Sequence, residues 1–145
     1  MANLLDMQIT EEGPRNAVVK LTGYLDTSNV SELPAIDLSQ AFTNNDPMLL
    51  LVGLRVDLIE WSISAGLEVN LSWASANPQS IYLLAGRGRI NSTNYGGFVP
   101  DRTRAQYIGD INLVTAGFVQ ATIANFSIVL ELVKLYVTNS AGAPN

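Results

Sequence analysis

Asp57, Glu60 and Glu68 are the nearest approach to a catalytic set in this sequence. Paired carboxylates hydrolyse glycosides when two of them flank one bond in distinct environments. Asp57 and Glu60 stand three apart in "RVDLIEW", a stretch that reads as strand, and a regular strand sends them to opposite faces. That spacing predicts solvated charges or a pair with Arg55. The sequence holds no histidine and no cysteine. Ser-His and Cys-His nucleophile pairs, thiolate zinc sites and disulfides are therefore excluded. "DTSNVSE" offers Asp26, Ser28 and Glu32 but lacks the twelve-residue calcium-loop pattern. "GRGRI" (86–90) has two glycines, no third, and no helix pattern after it, so it is no dinucleotide fingerprint. Its glycines read as a bulge or close approach within a strand. The expectation is no catalytic residue, no cofactor and no metal site.

What remains is recognition chemistry. The stretch "NYGGFVPDRTRAQYIGD" (94–110) lies between two apolar, strand-like segments. Tyr95 and Phe98 sit among its turn residues, a placement that fits interface anchors. Arg87, Arg89, Arg102 and Arg104 supply half of the eight positive charges. On an acidic chain such a cluster steers docking to an acidic partner; the plainer reading is a solvated loop. Trp61 and Trp73 are expected in the core or at its edge, since aromatics dominate sandwich cores.

The elements that must position these residues are short strands separated by turn residues. Candidate strands are 4–9, 16–25, 48–64, 67–74, 81–90, 108–116 and 121–137, with an irregular edge segment over 26–40. Pro34 restricts that segment to an edge strand and limits any helix there to a short turn. The 17 residues of 48–64 exceed an ordinary strand, so Gly53 is expected to mark a bulge. The Ala65-Gly66 turn predicts a hairpin over 48–74. About eight strands in 145 residues suit an all-β, jelly-roll-like antiparallel sandwich. Residues 1–14 read as an arm or first strand, 15–138 as the single domain, and 139–145 as a flexible tail.

Apolar residues make up 48% of the chain and charged residues 14%, against about 25% charged in ordinary soluble domains. Charge this sparse predicts a surface partly covered by partners or copies. A net charge of −5 argues against a general nucleic-acid binder. The uncharged stretch 111–130 is long enough to suggest a membrane span, but the polar residues spread through it favour buried sheet. The first residues do not read as a signal peptide, so a soluble protein made in a cytoplasm is expected.

The ordered series "NAVVKLTGYLD", "LRVDLIEWSIS", "LEVNLSW", "LAGRGRI", "NYGGFVPD", "IGDINLVT" and "FSIVLELVK" resembles a group of small virion proteins of tailed bacteriophages, over roughly residues 15–135. The resemblance implies a head decoration or cement protein and not an enzyme. It implies jelly-roll-like sandwiches on the outside of an icosahedral capsid, assembled in the host cytoplasm. The implied partners are the major capsid protein and a second copy, with a homodimer ahead of a homotrimer. Nucleic acid and membrane are not expected partners. Three other readings stay open: a carbohydrate-binding sandwich stacking sugars on Trp61, Trp73 or the loop aromatics, a hydrolase built on Asp57, Glu60 or Asp110, and a tail or neck protein.

Overall fold

The computed structural model describes residues 3–30, 33–42, 48–119 and 122–138. Nine strands are found there: β1 (Leu4–Glu12), β2 (Asn16–Leu25), β3 (Leu33–Ile36), β4 (Leu49–Ile63), β5 (Glu68–Trp73), β6 (Gln79–Ala85), β7 (Arg87–Asn91), β8 (Ile111–Ala116) and β9 (Ala124–Thr138). One short helix, α1 (Leu38–Ala41), and a single 3-10 turn (Thr93–Tyr95) complete the set. The expected tail, 139–145, lies outside the described residues.

The pairing is nested. β2 pairs with β9, β3 with β8, β4 with β7 and β5 with β6, all antiparallel. The chain is thus one long double-stranded ribbon closed at the β5–β6 turn. The ribbon is rolled so that β9 also meets β4 and β8 also meets β5. Two sheets result, in the orders β1-β2-β9-β4-β7 and β3-β8-β5-β6. This is the jelly roll that the strand spacing predicts.

Alternation builds the core. Ala17, Val19, Leu21, Gly23 and Leu25 of β2 are buried, with exposed or half-buried residues between them. Val19, Leu21 and Leu25 meet Leu54, Val56 and Ile59 of β4, Val69 and Leu71 of β5, Ile111 of β8, and Ile128 and Leu130 of β9. Each fully buried Leu or Ile contributes about 1.5–3 kcal/mol relative to exposure. Trp73 lies in this core and Trp61 at its edge.

The long strand β4 carries two register shifts against β9. The first, between Leu51 and Gly53, is the bulge expected at Gly53. The second, between Val56 and Leu58, moves the core-facing positions from Leu54 and Val56 to Ile59 and Ile63. The mixed polar and apolar face of "RVDLIEWSI" follows from this shift, because an extra residue reverses the alternation.

Two expectations are corrected. The predicted hairpin over 48–74 is absent: β4 and β5 belong to different sheets, and residues 64–67 form a corner closed by the Leu67 N–H to Ser64 carbonyl bond at 3.1 Å. The predicted single strand 81–90 is two strands. The chain turns at Gly86 with φ of +63°, so β6 and β7 lie in opposite sheets. That division makes nine strands of the expected eight. Pro34 sits in β3, an edge strand, and α1 is a single turn, both as predicted.

One lateral seam, between edge strands β6 and β7, is closed by three rings, the first pair tilted and the second stacked. Trp61 and Tyr82 lie 5.9 Å apart between centroids, and Tyr82 and Phe98 5.8 Å apart. The opposite seam, where β1 faces β3, holds a cavity of about 120 Å³ lined by Leu5, Met7, Pro34 and Phe126 among others.

Candidate functional site

The suspected carboxylates lie in different surroundings. Arg55 donates from Nε and Nη2 to the two oxygens of Asp57, at 2.7 and 3.1 Å. This bidentate bond also raises the Arg55 pKa, against a smaller opposing effect of burial. Glu60 faces Arg89 at 3.8 Å with both side chains more than half exposed, a pair worth ~0–1 kcal/mol. Glu68 is exposed on β5. Among the described residues no cluster of three or more metal-ligating side chains occurs. No helix there is long and apolar enough to cross a membrane.

Asp110 is the acid whose pKa the fold raises, whereas the hydrogen bonds from Thr103 lower that of Asp101. Its Oδ1 accepts the Leu38 N–H at 2.8 Å and so fixes the start of α1. Burial raises its pKa, the Leu38 bond opposes that rise, and nearby Asp37 adds to it. A raised folded-state pKa gives stability that is present below the unfolded pKa and lost as pH rises through the folded one. Asp110→Asn keeps an oxygen acceptor for Leu38 and removes the buried charge. The variant is expected to be more stable than the parent at neutral pH, with the difference closing in acid below the ordinary aspartate range. Urea denaturation at the two pH values measures this, and a hydrolase built on Asp110 would lose its activity in the same variant.

The segment 92–110 is pinned along its length. Fully buried Ser92 donates from Oγ to the Val56 carbonyl at 2.7 Å, and Val56 and Phe98 exchange two backbone bonds of 2.9 Å. The Gln79 amide receives the Asp101 N–H at 2.7 Å and donates to the Asp101 carbonyl at 2.9 Å. Tyr107 donates its hydroxyl to the Val52 carbonyl at 2.9 Å. Gly97 passes so close to Arg55 and Asp57 that a Cβ there would lie 2.7 Å from both. These bonds fix the loop as a shaped surface against β4 and the β5–β6 turn.

The suspected contact residues fall in different places. Phe98 is half-buried and stacked on Tyr82, so one face of its ring packs within the chain. Tyr95 belongs to the 3-10 turn, and its side chain lies outside the described residues. Arg87 and Arg89 are exposed on β7, opposite Ser62 and Glu60. Arg104 donates to the Asn77 carbonyl at 3.0 Å and stands 3.9 Å from Asp101. Arg102 is exposed and lines an open cleft of about 500 Å³ together with Arg15, Arg55 and Lys134.

Sequence reasoning missed Arg15 and Arg55 as neighbours of Arg102. They are joined by register: Asn16, next to Arg15, pairs with Val133, and Val133 pairs with Arg55. It also missed Val99 and Ile108, the apolar loop side chains left 54% and 61% exposed. No family model, no curated protein and no solved structure matches the chain.

Proposed function

We propose that this protein is a structural virion component that binds the outside of an icosahedral phage head and bridges major capsid subunits. The observation that carries the reading is the distribution of exposed apolar side chains. Met48, Leu50, Val99 and Ile108 lie at the end of the sandwich where β4 begins and β9 finishes. Leu4, Val119 and Ile123 lie at the opposite end, where β2 finishes and β9 begins. Among the described residues only Leu83 of the large exposed apolar side chains sits in the middle of a strand; Leu4 and Leu50 are at strand ends. Exposed apolar groups gathered in this way mark contact surfaces. A rigid block with one such surface at each end is suited to joining two neighbours.

The motif resemblance and the sparse surface charge support the same reading. The jelly roll itself serves capsid proteins, lectins and enzymes alike, so the fold alone does not choose among them. Self-association as a two-fold dimer is part of the proposal, because several weak contacts held together on one particle gain avidity. The test is copy number in gradient-purified virions, by quantitative mass spectrometry against the major capsid protein. Hundreds of copies per particle are expected. A handful would move the protein to the tail or neck, and none would sink the virion reading.

A further inference from the structure

We propose that the cleft between the β1–β2 turn, β9 and the β7–β8 loop binds an acidic segment of a partner polypeptide. The claim goes beyond the shell reading and concerns the chemistry of the occupant, whatever particle it belongs to. Four of the chain's eight cations, Arg15, Arg55, Arg102 and Lys134, line this one concavity of a protein whose net charge is −5. Two of them are internally satisfied. Arg55 is held by Asp57, and the Lys134 ammonium by Glu12 at 2.7 Å and the Gly13 carbonyl at 2.9 Å. Arg15 and Arg102 are exposed, and among the described residues neither forms an ion pair.

Both free guanidiniums stand on fixed backbone. The Arg15 carbonyl accepts the Lys134 N–H at 2.7 Å, and the residue before Arg102 is clamped by Gln79. A site held in this way loses little freedom when it binds. Arginine forks match carboxylates in two-pronged geometry. The walls between them are apolar: Val99, Leu135 and the ring of Tyr136, whose hydroxyl is tied to the Pro14 carbonyl at 2.8 Å. Alternating charge and apolar wall suits a polypeptide that carries carboxylates beside aliphatic side chains. Nucleic acid calls for a longer track of cations to replace its counterions than the two free arginines of this cleft provide.

The experiment is an NMR titration of the isotope-labelled full chain with a short peptide of alternating glutamate and leucine. A single-stranded DNA oligonucleotide serves as the competing probe. Expected shifts fall on Arg15, Val99, Arg102, Leu135 and Tyr136. The pair R15E/R102E is expected to weaken peptide binding about tenfold or more, while R87E/R89E, with the same change in net charge, leaves it unchanged. R15Q/R102Q repeats the test should charge reversal disturb the fold. Equal loss in the R15E/R102E and R87E/R89E variants, or shifts scattered over the surface, would overturn the proposal. So would DNA binding more tightly than peptide at the same residues.

Discussion

Gly117→Ala is expected to lower stability by about 3 kcal/mol and the melting temperature by ~10 °C. Gly117 follows β8 with φ of +89°, in the left-handed region where a Cβ costs about 1–2 kcal/mol. Space adds the rest. An alanine Cβ at this position would overlap the carbonyl oxygen of Gly66 in the β4–β5 corner, and a backbone atom cannot rotate away as a side chain can. Gly66 is the built-in control. Its φ is +82°, yet nothing lies within 4 Å of a Cβ added there. Gly66→Ala should therefore cost only about 1 kcal/mol. Melting curves and urea titrations of the two variants separate strain from overlap. Equal losses in both would show that the two corners do not touch.

The second large effect concerns Lys134, one of only two lysines. Its side chain is 1% exposed, while its partner Glu12 is 25% exposed. The ammonium also lies 5.1 Å from the centre of the Phe42 ring. Glu12→Gln removes the countercharge and leaves a buried ammonium with only neutral acceptors and a ring face, at a cost of about 3 kcal/mol. Lys134→Met removes the buried charge instead and leaves a carboxylate that water already reaches. That change should stay within ~1 kcal/mol of the parent. Losing either half of the pair thus has unequal consequences, and a double-mutant cycle measures the coupling. A Lys134→Met variant as unstable as Glu12→Gln would mean that the pair stabilises the sandwich outright.

What could be read in the sequence was what each segment settles by itself. The bulge at Gly53 could be expected because the 17 residues of 48–64 outrun an ordinary strand. Pro34 marked an edge because it lacks a ladder donor. What depended on distant partners was not legible. Ala65-Gly66 has the look of a hairpin turn, but β4 takes β9 and β7 as neighbours instead of β5. The bulge at Val56/Leu58 is defined against β9, so nothing local in "RVDLIEW" announces it. The same limit applied to the cleft. Arg102 stood out within a run of arginines, whereas Arg15 and Arg55 join it only through their registers with β9.

The nested ribbon also sets the timing of folding. Asn16 pairs with Val133, and β9 sits between β2 and β4 at the middle of the larger sheet. During synthesis, β2 and β4 emerge long before the strand that joins them. Until then each presents an unpaired edge and an uncovered apolar face, the state in which β-rich chains associate wrongly. Closing so long a loop before any contact rewards it makes folding slow. Once seated, β9 is held from both sides, and unfolding must break two ladders at once. The chain should therefore assemble late and come apart slowly, with its lifetime set by a barrier more than by its equilibrium stability.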